Sequence, residues 1–280
     1  MKTPPRLLPL LEDGLIDEVV CQLRAGKEAQ IYIVMVNGVK RCAKVFKDAQ
    51  QRSFKQAVQY QEGRTGRNSR RNRAMSKKTR FGQQEQEQAW LNAEVDALRQ
   101  LKAAGVRVPE PLSFVDGVLL MELITDAEGV TAPRLGDDTY TEAQALDYHQ
   151  RIIREVVRML VAGLVHGDLS PFNVLIDAQG PVIIDLPQAV NAAGNNNAEA
   201  MLLRDVANMR EFFSVFAPSI SDTDYGSEIW ALFEAGDLHD DTILTGEFAH
   251  DETLADLAQL FAVMDDAEQE EEERKTRLEQ

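Results

Sequence analysis

Cysteine is nearly absent from this chain of 280 residues. Only Cys21 and Cys42 occur. They form no metal-type spacing, which argues for a reducing compartment, the cytoplasm. No apolar run reaches membrane-spanning length. A signal peptide is not expected either. Pro4, Pro5 and Pro9 interrupt the first leucines, and no small-residue cleavage site follows a proper apolar region. Residues 1–12 are expected to form an extended arm, too short for a separate domain. Positive charge is also scarce, with 30 Lys and Arg against 46 Asp and Glu, a net of −16. That balance argues against non-specific binding of nucleic acid by the protein as a whole.

The most informative stretch is His166-Gly167-Asp168-Leu169-Ser170-Pro171-Phe172-Asn173. Two short apolar strands follow it, Val174–Ile176 and Val182–Ile184, joined by a turn at Asp177–Gly180 and closed by Asp185. A hairpin of this kind places Asp168, Asn173 and Asp185 at one end. Phosphoryl transfer from ATP needs such a set: one carboxylate to orient the attacking hydroxyl, and an amide with a second carboxylate to hold Mg²⁺. The Asp-to-Asn spacing of five is that of the protein-kinase catalytic loop.

The chain before it reads as an α+β unit. Glu18–Arg24, Gln30–Val36 and Val39–Phe46 are predicted strands of an antiparallel meander, with Asn37-Gly38 a strong type I′ hairpin signal. The first turn carries Gly26 and Lys27, a candidate phosphate-covering loop. Lys44 sits in the third strand, and period-two alternation puts Cys42 on its face, as a roof for an adenine pocket. A helix is predicted over Glu85–Ala104, with Leu91, Val95, Leu98 and Leu101 as its stripe. Glu94 lies beside that stripe and is costly unless paired; Lys44 is its expected partner. Leu112–Val115 and Val118–Ile124 make two more strands. Where the chain leaves the sheet, at Met121-Glu122-Leu123-Ile124, the Glu122 C=O and Ile124 N–H are placed to offer main-chain groups to adenine.

Charge reverses locally in residues 47–80. Eleven Lys and Arg stand there against Asp48 and Glu62, a net of +9 that leaves −25 on the rest. Gly63, Gly66, Asn68 and Asn72 argue for a flexible insert, and its charge for a contact with RNA or a ribonucleoprotein. Ser69 and Ser76 are candidate autophosphorylation sites. Beyond the hinge, Thr141–Gly163 reads as a core helix. Its stripe is Leu146, Ile153, Val157 and Leu160, Thr141 is its N-cap, and His149 lies on its surface. His166 is expected to brace the catalytic loop. Ala198–Phe216 is a second helix, a third falls near Leu254–Asp265, and Glu268–Gln280 is an exposed acidic tail. The domain reading is an arm (1–12), an N-lobe (13–124) with a basic insert (47–80), a C-lobe (125–265) and a tail (266–280).

Gly26-Lys27-Glu28-Ala29 with Ile31-Tyr32, the His166–Asn173 loop, and Ile184-Asp185-x-Pro187-Gln188 together resemble the motifs of the RIO family of atypical serine/threonine protein kinases. The resemblance runs from about Asp13 to Phe216. It implies a two-lobed protein-kinase-like fold, an antiparallel N-lobe sheet and a mainly helical C-lobe, with ATP and Mg²⁺ or Mn²⁺ between. It implies that Lys44 and Glu94 form the phosphate-lysine pair and Asp168 is the catalytic aspartate. Asn173 and Asp185 would hold metal, and Asp185 is a second catalytic candidate through a phosphoaspartate. Gly26, Lys27, Ile31, Cys42, Met121, Glu122, Ile124 and Ser170 would line the nucleotide site. Serine autophosphorylation, an unidentified protein substrate and a link to ribosome maturation are further implications. The lack of a winged helix is similar to the first RIO subfamily, and the short loops to a bacterial or minimal member. Gly167 departs from the arginine of ordinary kinase loops, and no alanine-proline-glutamate segment follows Asp185. Two other readings stay open: a small-molecule phosphotransferase of the aminoglycoside-kinase type, and a nucleotide-sensing RNA-binding scaffold.

Overall fold

The computed structural model describes residues 3–26, 28–47 and 80–249, with side chains of the last stretch from residue 92 onward. Lys27, most of the basic insert with Ser69 and Ser76, the side chain of the stripe position Leu91, the helix near 254–265 and the acidic tail lie outside the described residues.

The first correction concerns the arm. Pro5–Leu7 form a 3₁₀ turn, and α1 (Leu8–Glu12) follows directly. Its prolines are helix starters: Pro5 and Pro9 stand in first turns, where a missing N–H costs nothing and a fixed φ helps. Leu7, Leu10 and Ile16 are buried against Tyr32, Val34, Ala43, Val45, Val118 and Leu120. Arg6 Nη1 ties the arm down by donating to the Phe46 carbonyl at 2.9 Å. The arm therefore belongs to the N-lobe it covers. Leu10→Ala is expected to destabilise the fold by about 2–4 kcal/mol, the cost of a core cavity. Urea unfolding measures it, and an unchanged midpoint would mean that α1 adds nothing to the sheet.

The sheet beneath is antiparallel, in the order β1-β2-β3-β5-β4. Its strands are β1 (Glu18–Ala25), β2 (Ala29–Val36), β3 (Val39–Phe46), β4 (Pro111–Val115) and β5 (Val118–Glu122). Asn37 and Gly38 both take positive φ, 51° and 74°, as a type I′ turn requires. Register fixes which residues share a face. Ile31 opposes Lys44, Ile33 opposes Cys42, and across β3 these meet Leu119 and Met121. The alternate set, Tyr32, Val34, Ala43, Val45 and Leu120, lies under the arm. One face of the sheet is thus closed by α1, while Phe46 and Leu119 on the other join Val95, Leu98 and Leu101 of α2 (Arg80–Ala103) in the main core.

The second lobe is built around α3 (Glu142–Val161). Thr141 caps it in a full capping box with Gln144. Two expectations for this helix are corrected. Leu146 is 42 % exposed, while His149 is buried. The buried stripe runs through Ala145, His149, Ile152, Ile153 and Val156, because α4 (Ala198–Ser214) and α5 (Tyr225–Ala235) cover that side. His149 packs against Phe213 and Tyr225, with ring centroids 5.6 and 5.7 Å away. Short strands β6 (Leu164–Val165) and β9 (Val190–Asn191) pair with each other. The hairpin of β7 (Val174–Asp177) and β8 (Gly180–Ile183) carries the loop-bearing end. Among the described residues no helix is long and apolar enough to cross a membrane.

Burial lowers the His149 pKa from 6.5 to about 4. The unfolded chain takes up this proton near pH 6.5 and the folded protein only near pH 4. Stability is therefore full above 6.5, falls as pH drops towards 4, and is flat for this group below that. The difference approaches about 3 kcal/mol. His149→Phe is expected to lose that part of the acid slope, read by urea unfolding at several pH values. Parallel slopes for the two proteins would overturn the assignment.

Candidate active site

Lys44 is the residue on which the two lobes converge. Strand β3 delivers it on the face away from the arm, 7 % exposed. Its Nζ donates to Glu94 Oε1 at 2.5 Å and to Asp185 Oδ1 at 2.6 Å, and lies 5.2 Å from the Phe46 ring centroid. Glu94 comes from α2 and Asp185 from the end of the β7–β8 hairpin, 141 positions along the chain from Lys44. Burial alone would depress the lysine, yet the two carboxylates outweigh it and hold its pKa above the ordinary value. One ammonium between two carboxylates leaves an excess negative charge. The deeper carboxyl, Glu94, is pushed up by burial, and its Oε2 has no partner among the described residues. The more exposed Asp185 is held below the usual range by Lys44. Asp185 also sits at φ 67°, a left-handed conformation uncommon for a residue with a Cβ, although Asp tolerates it best after Gly and Asn.

Asp168 and Asn173 stand on the neighbouring loop. Asn173 Nδ2 donates to the Asp168 carbonyl at 2.8 Å and approaches its carboxylate at 3.5 Å. Ile184 N donates to Asn173 O at 2.9 Å, which ties the loop to the residue before Asp185. Burial, then the nearby Asp185, raise the Asp168 pKa. His166 takes the bracing position: Nε2 meets Ile184 O at 3.1 Å and Nδ1 accepts from Asp168 N at 3.2 Å. Those two bonds require the neutral Nε2–H tautomer, and burial lowers its pKa in the same sense.

The remaining candidates sort by position. Gly26 is in the first hairpin turn, its N–H donating to Ala29 O. Lys47 Nζ straps the same turn from the far end of β3, reaching Gly26 O at 2.6 Å. Ile31, Cys42 and Met121 share the Lys44 face by register. Burial pushes the Cys42 thiol up to about 12, so it acts as an apolar surface. The Glu122 side chain turns to structural work, accepting from Glu110 N at 3.1 Å and pairing with Lys102 at 3.5 Å. Ile124 is buried with Ala132 and Val182, and Leu175 packs on them. Ser170 offers its carbonyl to Asn173 N at 2.9 Å. Gln188 Oε1 is buried with no partner among the described residues.

Sequence reasoning missed the support of the catalytic loop. Asp205 on α4 is 1 % exposed. It accepts from Gly167 N at 2.7 Å and from Leu169 N at 2.9 Å. Arg204 Nη2 donates to Gly167 O at 2.5 Å and Asn208 Nδ2 to Leu169 O at 2.9 Å. Burial pushes the Asp205 carboxyl up to about 7 against the pull of both N–H groups. Gly167 takes φ +79°, which an arginine at this point of the loop would adopt only with strain. A signal was available: Asp205 lies four residues from both Met201 and Met209, inside a buried stripe.

No cluster of three His, Cys, Asp or Glu side chains that could hold a metal exists among the described residues. Asn173 and Asp185 remain as oxygen donors. With Nδ2 spent on Asp168 O, the Asn173 amide oxygen accepts no hydrogen bond among the described residues, and Asp185 is half-exposed. Two hard oxygen ligands with open positions suit a hard divalent cation that keeps waters or phosphate oxygens for the rest.

A family model described as the RIO domain matches residues 30–225. The chain is 32 % identical over 216 residues to the RIO-type serine/threonine-protein kinase Rio1 of Methanocaldococcus jannaschii, covering 76 % of this chain and 68 % of that protein. It is 30 % identical over 213 residues to the serine/threonine-protein kinase rio1 of Schizosaccharomyces pombe, covering 74 % of this chain and 40 % of that protein. Against serine/threonine-protein kinase RIO1 of Homo sapiens the identity is 32 % over 213 residues, with 74 % and 35 % covered. The chain thus spans well under half the length of these two eukaryotic relatives. With the RIO domain matched across more than half of its residues, and an archaeal relative matched over most of both lengths, the chain belongs to the RIO family.

Proposed function

We propose that the protein is an ATP- and divalent-metal-dependent phosphotransferase of RIO type, acting on serine or threonine, its own included, or releasing phosphate by way of Asp185. The observation that carries this reading is the meeting of Lys44 with Glu94 and Asp185, with Asp168 and Asn173 on the adjoining loop. In it, Lys44 binds the phosphates of ATP, and Glu94 keeps the ammonium aimed into the cleft. Asn173 and Asp185 would hold the metal ion. Mg²⁺ or Mn²⁺ bound there supplies charge neutralisation for the phosphates. Asp168, its carboxyl raised by burial, accepts the proton of the attacking hydroxyl. Cys42, Ile31, Met121 and Ile124 shape an apolar slot for the base, and the Gly26 turn with Lys27 covers the phosphates. Related proteins named serine/threonine-protein kinases support this reading.

Purified protein incubated with γ-labelled ATP and Mg²⁺ or Mn²⁺, beside Asp185→Ala, tests it. Acid-stable label on protein, lost in the variant, is the expected result for a protein kinase. Label that hydroxylamine removes marks the aspartyl route. Transfer to an added small-molecule panel alone would overturn the substrate class, and no turnover at all would overturn the enzyme reading. A contact with RNA through residues 47–80 rests on their net charge of +9. It predicts salt-sensitive RNA binding that disappears when residues 64–80 are deleted.

A further inference from the structure

Away from the cleft, arginine gathers on a chain that is otherwise acidic. Arg151, Arg154 and Arg158 follow at three- and four-residue spacing along α3, and Arg107 joins them from the connection between α2 and β4. Together with Gln150 and Gln179 they line an open cavity of about 380 Å³, within the size range of small-ligand pockets.

Carboxylates position these guanidinium groups without exhausting them. Arg107 pairs with Asp177 at 2.6 Å, Arg151 with Asp147 at 2.9 Å, and Arg158 with both Glu155 and Asp240 at 2.8 and 2.7 Å. Each guanidinium has five N–H donors, so most remain for a ligand. Arg154 has no carboxylate partner among the described residues; its Nη1 donates at 2.9 Å to the Asp240 main-chain carbonyl. Arg107 and Arg158 are held half-buried, their side chains 27 % and 30 % exposed.

The turn of the β7–β8 hairpin adds an independent observation. Gly180 takes φ +118°, and a Cβ there would stand 3.1 Å from Arg151 Nη1 and 3.7 Å from Arg107 Nη1. The missing side chain leaves room for Arg151 Nη1, which donates to the Gln179 carbonyl at 2.7 Å, and for Arg107 beside it, so the turn holds two guanidinium groups at the rim of the cavity.

We propose that this cavity binds a small anion bearing a phosphate monoester, gripped by Arg107, Arg151 and Arg154. Several planar forks meeting at one place match the oxygens of a phosphate better than a single carboxylate. An extended polyanion such as RNA fits poorly. It would run against Asp147, Asp177 and Asp240 around the site and against the net −16 of the chain, whereas a compact dianion meets only Glu155 among the carboxylates, and that one is already bonded to Arg158 and to the Arg107 N–H. None of the cavity's residues belongs to the cleft, so the site is separate from that of the transferred phosphate.

The test is calorimetric titration of the full chain with inorganic phosphate and with ribose 5-phosphate at constant ionic strength, ribose serving as the neutral control. Saturable binding of both phosphates is expected, weakened about tenfold or more by Arg154→Gln and again by Arg151→Gln, and kept in Lys44→Met. Arg154 makes one main-chain contact, so its variant is expected to keep the wild-type unfolding midpoint, which rules out a loss through misfolding. Absence of saturable binding, wild-type affinity in Arg154→Gln, or loss of binding in Lys44→Met would each overturn the proposal.

Discussion

Asp168→Asn is expected to bind ATP within about twofold of the wild type and to transfer its phosphate about 10²- to 10⁴-fold more slowly, the range for loss of a positioned general base. The split follows from where the side chain stands. Asp168 makes no contact with Lys44, whose partners are Glu94 and Asp185, so the phosphate-binding triad is untouched. Its backbone N–H is held by His166 and its carbonyl by Asn173, and neither bond involves the carboxylate. Unfolding free energy should move by no more than about 1 kcal/mol, since the carboxylate gives up only the long 3.5 Å contact with Asn173 Nδ2. Single-turnover transfer from labelled ATP and direct nucleotide titration measure the two halves separately. Transfer within about threefold of the wild type would remove Asp168 from the chemistry and leave Asp185 as the reacting carboxylate. Asp185→Ala, in contrast, strips Lys44 of one of its two partners and should weaken nucleotide binding together with turnover.

Much of this site was legible because its chemistry is local in sequence. The Asp168–Asn173 spacing, the apolar pairs on either side and the closing Asp185 all lie within a span that folds as one loop and hairpin. The sheet was readable for the same reason: Asn37-Gly38 announces a tight turn, and period-two alternation places Cys42 and Lys44 on one face. Pairing of Lys44 with Glu94 was inferable from cost, since an unpaired carboxylate beside the α2 stripe has nowhere else to go. What was not legible depended on what covers an element. The prolines of the arm look like breakers until Leu7 and Leu10 are seen to have a sheet face to cover. His149 looks like a surface residue until α4 and α5 are laid over α3. The left-handed φ of Asp185 leaves no composition signal.

The largest effect outside the cleft is expected at Asp205, for the same reason that it escaped notice. A carboxylate in the middle of α4 reads as solvated until the catalytic loop is placed against that helix. There it meets two main-chain N–H groups, those of Gly167 and Leu169 on either side of Asp168, while Arg204 and Asn208 meet the carbonyls of the same two residues. Four polar groups of the loop backbone are thus satisfied from one helix. Asp205→Ala leaves two buried donors without an acceptor, at roughly 1–3 kcal/mol each, so a loss of about 3 kcal/mol or more is expected in urea unfolding. Asp205→Asn retains one acceptor oxygen and turns an NH₂ group towards the other donor, and should fall between the two. Activity should follow the same order even well below the unfolding midpoint. The loop carries Asp168, and a displacement near 1 Å costs about 10²-fold in a reaction that depends on alignment. Asn208→Ala, which frees one carbonyl rather than two N–H donors, should cost less than either. If Asp205→Ala unfolds at the wild-type midpoint, the hydrogen bonds to Gly167 and Leu169 are not holding the loop. If it unfolds early yet turns over normally when folded, α4 secures the fold and Asp168 finds its position from His166 and Asn173 alone.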